Sequence, residues 1–170
     1  ATGWATARLT SLSPGTQTVT VTAGDVTATL AVVWLGPALP APPASTPGSA
    51  SGGGWVLDGG AKVHVGVAAE LDPDADRPAG RLSARGPDGE VRADVVDSFT
   101  TDGTTATLTG PATLDGDDGY RYELVVADHG EPGRGVDTFD LTVTRPWQPL
   151  WSLEVGGTLG GGNLQVVAGG

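Results

Sequence analysis

Three carboxylates within a ten-residue loop are the side chains of this sequence best suited to chemistry. The loop runs from Asp128 to Asp137 and contains Glu131, with glycines that leave backbone carbonyls accessible. Calcium takes roughly six to eight oxygen ligands at flexible spacing, and acidic turns at strand ends supply them. The residues therefore predict a Ca²⁺ site formed by Asp128, Glu131 and Asp137. In the alternative interpretation, Asp128 and Asp137 cap the mouth of a hairpin and the other charges are solvated.

A second acidic turn, Asp72, Asp74 and Asp76, repeats the spacing that opens an EF-hand loop. An EF-hand also needs a glycine and a bidentate glutamate further along the loop, but Arg77 and Ser83 stand at those positions. This excludes an EF-hand. Two interpretations remain: a looser Ca²⁺ site that uses Asp72 and Asp74, or a solvated acidic turn.

The sequence lacks the motifs of common catalytic sites. His64 and His129 are the only histidines, whereas a catalytic zinc needs about three convergent ligands. No Gly-x-Ser-x-Gly elbow presents a serine, and the glycines at 156–162 lack the Lys-Ser/Thr of a phosphate loop. The twenty acids offer many carboxylate pairs, but five Trp, two Tyr and two Phe are few for a sugar-cleaving cleft. We therefore predict that the chain is not an enzyme.

Two tryptophans four residues apart, Trp147 and Trp151, stand among prolines. They would form a stacking surface for a carbohydrate or a protein partner if both rings were exposed. Alternatively they fold back onto the edge of the sheet, which the large apolar area of tryptophan favours.

Charge and composition exclude several classes of protein. A net charge of −11 repels phosphate backbones and anionic lipid, so we expect no nucleic-acid partner. The chain has no Cys for disulfides, and no apolar run reaches the roughly 20 residues that span a membrane. Because it begins with Ala1 and contains no Met, we expect a processed product or a fragment.

The elements that must position these residues are short strands. In the central hairpin, apolar residues alternate with polar ones, which is typical of half-buried strands: Tyr120, Tyr122, Leu124 and Val126, then Phe139, Leu141 and Val143. The stretch Ala61–Ala69 alternates in the same way, with Val63, Val65 and Val67 predicted to be buried. About eight to ten such strands with regular turns predict an all-β protein, an antiparallel immunoglobulin-like β-sandwich.

Composition divides the chain into three parts. Residues 1–35 read as a separate short β unit, and residues 36–54, rich in Pro, Gly and Ser, read as a linker. Residues 55–167 contain the remaining strands and form the predicted sandwich.

Five short phrases follow one another in the second half of the chain: Gly-Gly-Gly-Trp at 52–55, Gly-Tyr-Arg-Tyr-Glu-Leu-Val-Val-Ala-Asp at 119–128, Gly-Glu-Pro-Gly at 130–133, Asp-Thr-Phe-Asp-Leu-Thr-Val at 137–143 and Gly-Gly-Asn-Leu-Gln-Val at 161–166. In this order they resemble the post-COAP-type β domain of secreted and cell-surface bacterial proteins, over roughly residues 52–167. The resemblance implies an accessory extracellular module without established catalytic residues. One departure is His129, where that family leads us to expect Asn.

The first part carries Gly-Thr-Gln-Thr-Val-Thr-Val at 15–21 and Val-Thr-Ala-Thr-Leu-Ala-Val at 26–32. These residues resemble the closing strands of an invasin-type bacterial immunoglobulin-like domain. Truncation of that domain or addition of these strands to another sheet would explain why so few strands are present.

Together these features predict a non-catalytic extracellular or cell-surface module with a structural or adhesive role, stiffened by Ca²⁺. Two alternatives stay open. One is a carbohydrate-binding accessory module that uses Trp147 and Trp151. The other is a filament subunit that self-associates by adding its N-terminal strands to a neighbouring chain.

Overall fold

The described part of the chain comprises residues 15–34, 41, 43–148 and 150–169 of a computed structural model. Contacts divide the chain into two units, Ala1–Leu39 and Pro40–Gly170, and each is described by itself. About 68% of the described residues lie in strands and none lies in a helix. The prediction of an all-β antiparallel protein is confirmed, as expected from abundant Gly, Pro and β-branched residues. Within these ranges no helix is long and apolar enough to cross a membrane.

The first unit contains one antiparallel hairpin, β1 (Gly15–Ala23) and β2 (Val26–Trp34), in the predicted N-terminal β unit. Alternation places threonines on one face of the ribbon and most of its apolar side chains on the other. On the apolar face, Val21, Val26 and Leu30 are 60%, 71% and 61% exposed. The hairpin therefore has little core of its own. Residues 1–14 and 35 of the predicted unit lie outside the described residues.

Ten strands of the second unit form one antiparallel sheet that curls into a half-barrel. They are β3 (Gly48–Asp58), β4 (Ala61–Leu71), β5 (Ala79–Gly86), β6 (Gly89–Ala93), β7 (Ser98–Thr101), β8 (Thr105–Leu114), β9 (Asp117–Ala127), β10 (Thr138–Thr144), β11 (Ser152–Thr158) and β12 (Gly161–Ala168). The hydrogen-bonded order is β11-β10-β9-β8-β6-β5-β4-β3-β12, and β7 pairs with β8 outside this path.

The core lies on the inner face of the curl. All seven apolar residues predicted for the central hairpin β9–β10 are buried, which confirms the predicted faces. The same holds for β4, where Val63, Val65 and Val67 are buried while Lys62 and His64 are exposed. The side chains of Phe99 and Phe139 are the largest that are fully buried.

The structure differs from the predicted linker at residues 48–54, which form the first half of β3. Ala50 in this segment is fully buried. The three glycines at 52–54 suggest a loose chain, but they pair in register with β12 on one side and β4 on the other. Composition alone does not distinguish a flexible Gly-rich segment from a strand that needs small residues for close packing.

Strands β7 and β11 carry little sequence signal, and β8 passes through residues that often end a strand. Strand β7 has only four residues, and β11 contains Gly156 and Gly157, so neither shows a clear alternating pattern. Strand β8 continues through Gly110 and Pro111, where the sequence suggests a break. Pro111 is exposed there, which is compatible with its missing N–H.

Candidate functional site

The 128–137 loop lies against β12, the strand at one end of the sheet. We call the contact between this loop and residues 163–166 the seam. At its centre, Asp137 is fully buried and each carboxylate oxygen accepts one backbone N–H. The N–H of Leu164 donates to Oδ2 at 2.8 Å, and that of His129 donates to Oδ1 at 2.9 Å. Charge-assisted bonds of this kind offset the cost of burying a carboxylate.

Two further acids extend the seam on either side of Asp137. The N–H of Val166 donates to Asp128 Oδ2 at 3.2 Å. Glu131 Oε1 accepts bonds from Asn163 Nδ2 at 3.0 Å and from Gln165 Nε2 at 3.2 Å. The backbone donors at 164 and 166 belong to a strand paired only with β3. The loop carboxylates thus take the place of a further strand along this edge.

Local sequence explains why the loop folds tightly enough to reach β12. A side chain at Gly133 would overlap the Asp137 carboxylate, and the Gly133 N–H donates to Asn163 Oδ1 at 2.6 Å. The Asp137 N–H returns to the Gly133 carbonyl at 2.9 Å, and the Glu131–Pro132 peptide is cis. Backbone bonds between Gly135 and Leu159 and between Leu159 and Asp137 tie the loop to the connection before β12.

The two Gly-rich phrases of the sequence meet in the β3–β12 pair. Gly54 lies opposite Gly162, and a Cβ on either residue would overlap the backbone of the opposite strand. Beside them, a Cβ on Gly160 would overlap the ring of Trp55, whose centroid lies 4.0 Å from Lys62 Nζ. The glycines therefore allow close approach of the strands and seat the Trp55 ring.

All five phrases that carry the family resemblance thus lie in or beside the seam. Residues 119–128 and 137–143 form most of β9 and β10, residues 130–133 lie in the loop, and the other two phrases form the β3–β12 pair. Sequence reasoning missed Asn163 and Gln165. Their i, i+2 spacing beside Leu164 and Val166 marks a polar strand face, but their partner Glu131 lies 32 and 34 residues away in sequence.

The loop acids predicted to bind Ca²⁺ all face the same stretch of β12. Three of their oxygens, on Asp128 and Asp137, accept backbone N–H groups, and Glu131 Oε1 accepts two side-chain amides. No group of three or more His, Cys, Asp or Glu suited to a metal occurs among the described residues. The bond from the His129 N–H to Asp137 fits the hairpin-capping interpretation. The bonds to residues 163–166 fit neither interpretation, and Ca²⁺ binding here stays a prediction.

The other predicted Ca²⁺ residues, Asp72 and Asp74, lie in the exposed turn between β4 and β5. The Ala75 N–H donates to the Asp72 carbonyl at 3.0 Å, which closes the turn. Their carboxylates face solvent, so this site also stays a prediction.

The tryptophans lie in two consecutive turns between β10 and β11. Trp151 is half-buried against the core, with its ring 5.2 Å from that of Tyr120 and tilted by 57°. Arg145 covers Tyr120 at 5.0 Å. Trp147 is also partly exposed. Trp151 thus packs against the core, as in the second interpretation, and carbohydrate binding by the two rings stays a prediction.

Asp102 and Tyr122, both outside the seam, have shifted pKa values. Hydrogen bonds from the N–H groups of Thr104 and Thr105 and from the Thr104 hydroxyl lower the pKa of Asp102. Burial raises the pKa of Tyr122, whose hydroxyl donates to the Val95 carbonyl at 3.2 Å. Both groups hold turns or strands in place.

Comparison with models of protein families, with curated proteins and with solved structures gave no match.

Proposed function

We propose that the chain is a non-catalytic extracellular module with a structural or adhesive role in a secreted or surface bacterial protein. The observation that supports this role is the seam. Its acids, the residues with the clearest potential for chemistry, are hydrogen-bonded to a strand edge. An edge occupied in this way resists pairing with foreign strands, which suits a module exposed to a crowded exterior.

The adjacency of the first and last strands of the second unit favours an adhesive role over an in-line spacer. The first and last strands of the second unit, β3 and β12, are antiparallel neighbours, and the Gly169 N–H donates to the Pro47 carbonyl at 2.9 Å. In a longer chain, both connections to the unit would leave from the same place. Tension on the chain would then separate β3 from β12 one residue pair at a time. We infer that the second unit projects from a longer chain as a side domain instead of lying in line with it.

The fold in its finer form is proposed to be an immunoglobulin-like sandwich. Strands β6 and β8 pair through only two residue pairs, Val91–Leu114 and Arg92–Thr113. So narrow a connection would allow the two halves of the sheet to face each other across the core. A crystal structure with β6 and β8 paired along their full lengths would contradict this.

Calcium stiffening is tested by thermal melts with Ca²⁺ and with excess chelator. If the loop holds Ca²⁺, chelation lowers the melting temperature, and Glu131→Gln removes this dependence, while Asp88→Asn, in the exposed turn between β5 and β6, keeps it. Equal melting temperatures with and without chelator would leave a metal-independent module.

Self-association through the first unit is the second candidate function. The exposed apolar face of the β1–β2 hairpin favours it, because the hairpin contains a single charge, Asp25, and no proline to protect its edges. Light scattering of the full chain should show oligomers that Leu30→Thr dissociates. Val33→Thr is the matched control, since Val33 is equally exposed, at 61%, but lies on the opposite face. A monomer at all concentrations would exclude this candidate.

A further inference from the structure

The outer face of β4–β6 contains an open groove of about 480 Å³. We call it the outer groove, and its lining includes Gly66, Arg81, Ser83, Glu90, Arg92 and Asp94. Register aligns Gly66, Ser83 and Arg92 in one row across three strands. Their neighbours Val67, Leu82 and Val91 point to the core, so the polar side chains share the solvent side.

The floor of the groove is low because Gly66 has no side chain. A Cβ there would meet its nearest neighbour, Ser83 Oγ, only at 3.7 Å. Gly66 therefore leaves open space above the sheet. Gly54 and Gly162 differ, because a side chain at either position would prevent close contact between the strands. A ligand atom can approach the sheet backbone at this point.

The walls of the groove contain equal numbers of guanidinium groups, which donate hydrogen bonds, and carboxylates, which accept them. Arg92 forms an ion pair with Glu90 at 3.0 Å, with the two side chains 65% and 30% exposed. Arg81 and Asp94 are exposed, and within the described residues Arg81 makes no hydrogen bond or ion pair. Two guanidinium groups and two carboxylates give the groove no net charge on a chain of −11.

The lining of the groove favours some classes of ligand over others. An apolar ligand finds no large apolar wall, and a polyanion meets Glu90, Asp94 and the negative charge of the chain. Vicinal hydroxyl groups donate and accept at once, so they match alternating Arg and carboxylate groups. We propose that the outer groove binds a neutral oligosaccharide. This activity goes beyond the proposed structural role and does not depend on it.

The groove continues along the sheet, which favours a chain of sugars over a single one. A depression of about 350 Å³ shares Ala68 with it and extends past Glu70 to Ser49 and Ser51 on β3. The extension is again lined by small and polar residues. An extended oligosaccharide would lie across the strands from β6 to β3.

The test is a titration of the full ¹⁵N-labelled chain, followed by NMR, with neutral hexasaccharides of glucose, xylose and mannose. Because the groove is open and lacks a stacking ring, the expected dissociation constant is on the order of 1 mM. Amide shifts should concentrate on β4, β5 and β6. Arg81→Ala should weaken binding by about fivefold or more.

Arg85→Ala is the matched control, because Arg85 is an exposed arginine on the same face of β5 but does not line the groove. It should change affinity by less than about twofold. Four results would overturn the proposal: no shifts with any hexasaccharide, equal weakening by both variants, equally tight binding of polygalacturonate, or loss of binding in Trp151→Ala but not in Arg81→Ala. The last result would place glycan binding at the tryptophans.

Discussion

Asp137 shows how a carboxylate can be committed to structure when sequence suggests a ligand. Both oxygens are used by backbone N–H groups from two different segments, His129 and Leu164. Removing the carboxylate would leave these donors without partners inside the protein, and unsatisfied buried donors are costly.

We therefore expect Asp137→Ala to lower the free energy of unfolding by about 3 kcal/mol or more, whether or not Ca²⁺ is present. Chemical denaturation of the full chain measures this. Asp88→Asn, in the exposed turn between β5 and β6, is the control and should stay within about 0.5 kcal/mol of the wild type. If Asp137→Ala behaved like the control, the seam would not contribute to stability.

Asp102, in the turn between β7 and β8, should make the stability of the protein depend on pH. Its pKa is lowered in the folded state by the hydrogen bonds from Thr104 and Thr105. The stabilisation is therefore present above the unfolded pKa, about 3.9 for Asp, and is lost as pH falls through the lower folded value.

Asp102→Asn removes the titrating group while its amide oxygen can still accept both N–H bonds. Between about pH 5 and pH 2.5, the wild type should lose more stability than Asp102→Asn. Denaturation curves at several pH values compare the two proteins. Parallel losses across this range would show that Asp102 does not contribute to the acid dependence.

At the scale of elements, the β3–β12 pair joins the beginning and the end of the second unit. Gly54 and Gly162 face each other there with no room for a side chain. The pair carries one side of the seam, so displacement of β12 would also move the donors of Leu164 and Val166 away from the loop.

Gly54→Ala should therefore destabilise the protein by about 2 kcal/mol, because backbone must move to accommodate the methyl group. Gly66→Ala is matched to it, since both glycines lie in strand interiors without positive φ, yet Gly66 has open space. We expect a change within about 0.5 kcal/mol for Gly66→Ala. Thermal or chemical denaturation of both variants shows whether the close approach of β12 is what requires glycine at position 54.

At the scale of the whole molecule, the two units differ in what stabilises them. Among the residues that the structure describes, the buried apolar side chains all lie between Ala50 and Val166, in the second unit. The described hairpin of the first unit exposes most of its apolar residues.

The segment Pro40–Gly170 is therefore expected to fold by itself, with a melting temperature within about 3 °C of that of the full chain. Calorimetry and amide NMR dispersion of the isolated segment test this. A dispersed spectrum would also allow the groove titration to be repeated without the hairpin. Loss of cooperative melting would show that the first unit contributes to the core.

The sequence by itself determined the all-β class and the faces of the best strands, because period-two patterns such as Tyr120 to Val126 depend only on local geometry. It also identified the 128–137 loop as unusual through Asp128, Glu131 and Asp137. Only the tertiary structure decided what these acids do, since their partners at 163–166 are about thirty residues away. The same holds for Gly52 to Gly54, which local composition assigns to a linker. These glycines form part of a strand because β12 approaches their backbone closely. That approach depends on residues far away in sequence, so no local pattern encodes it.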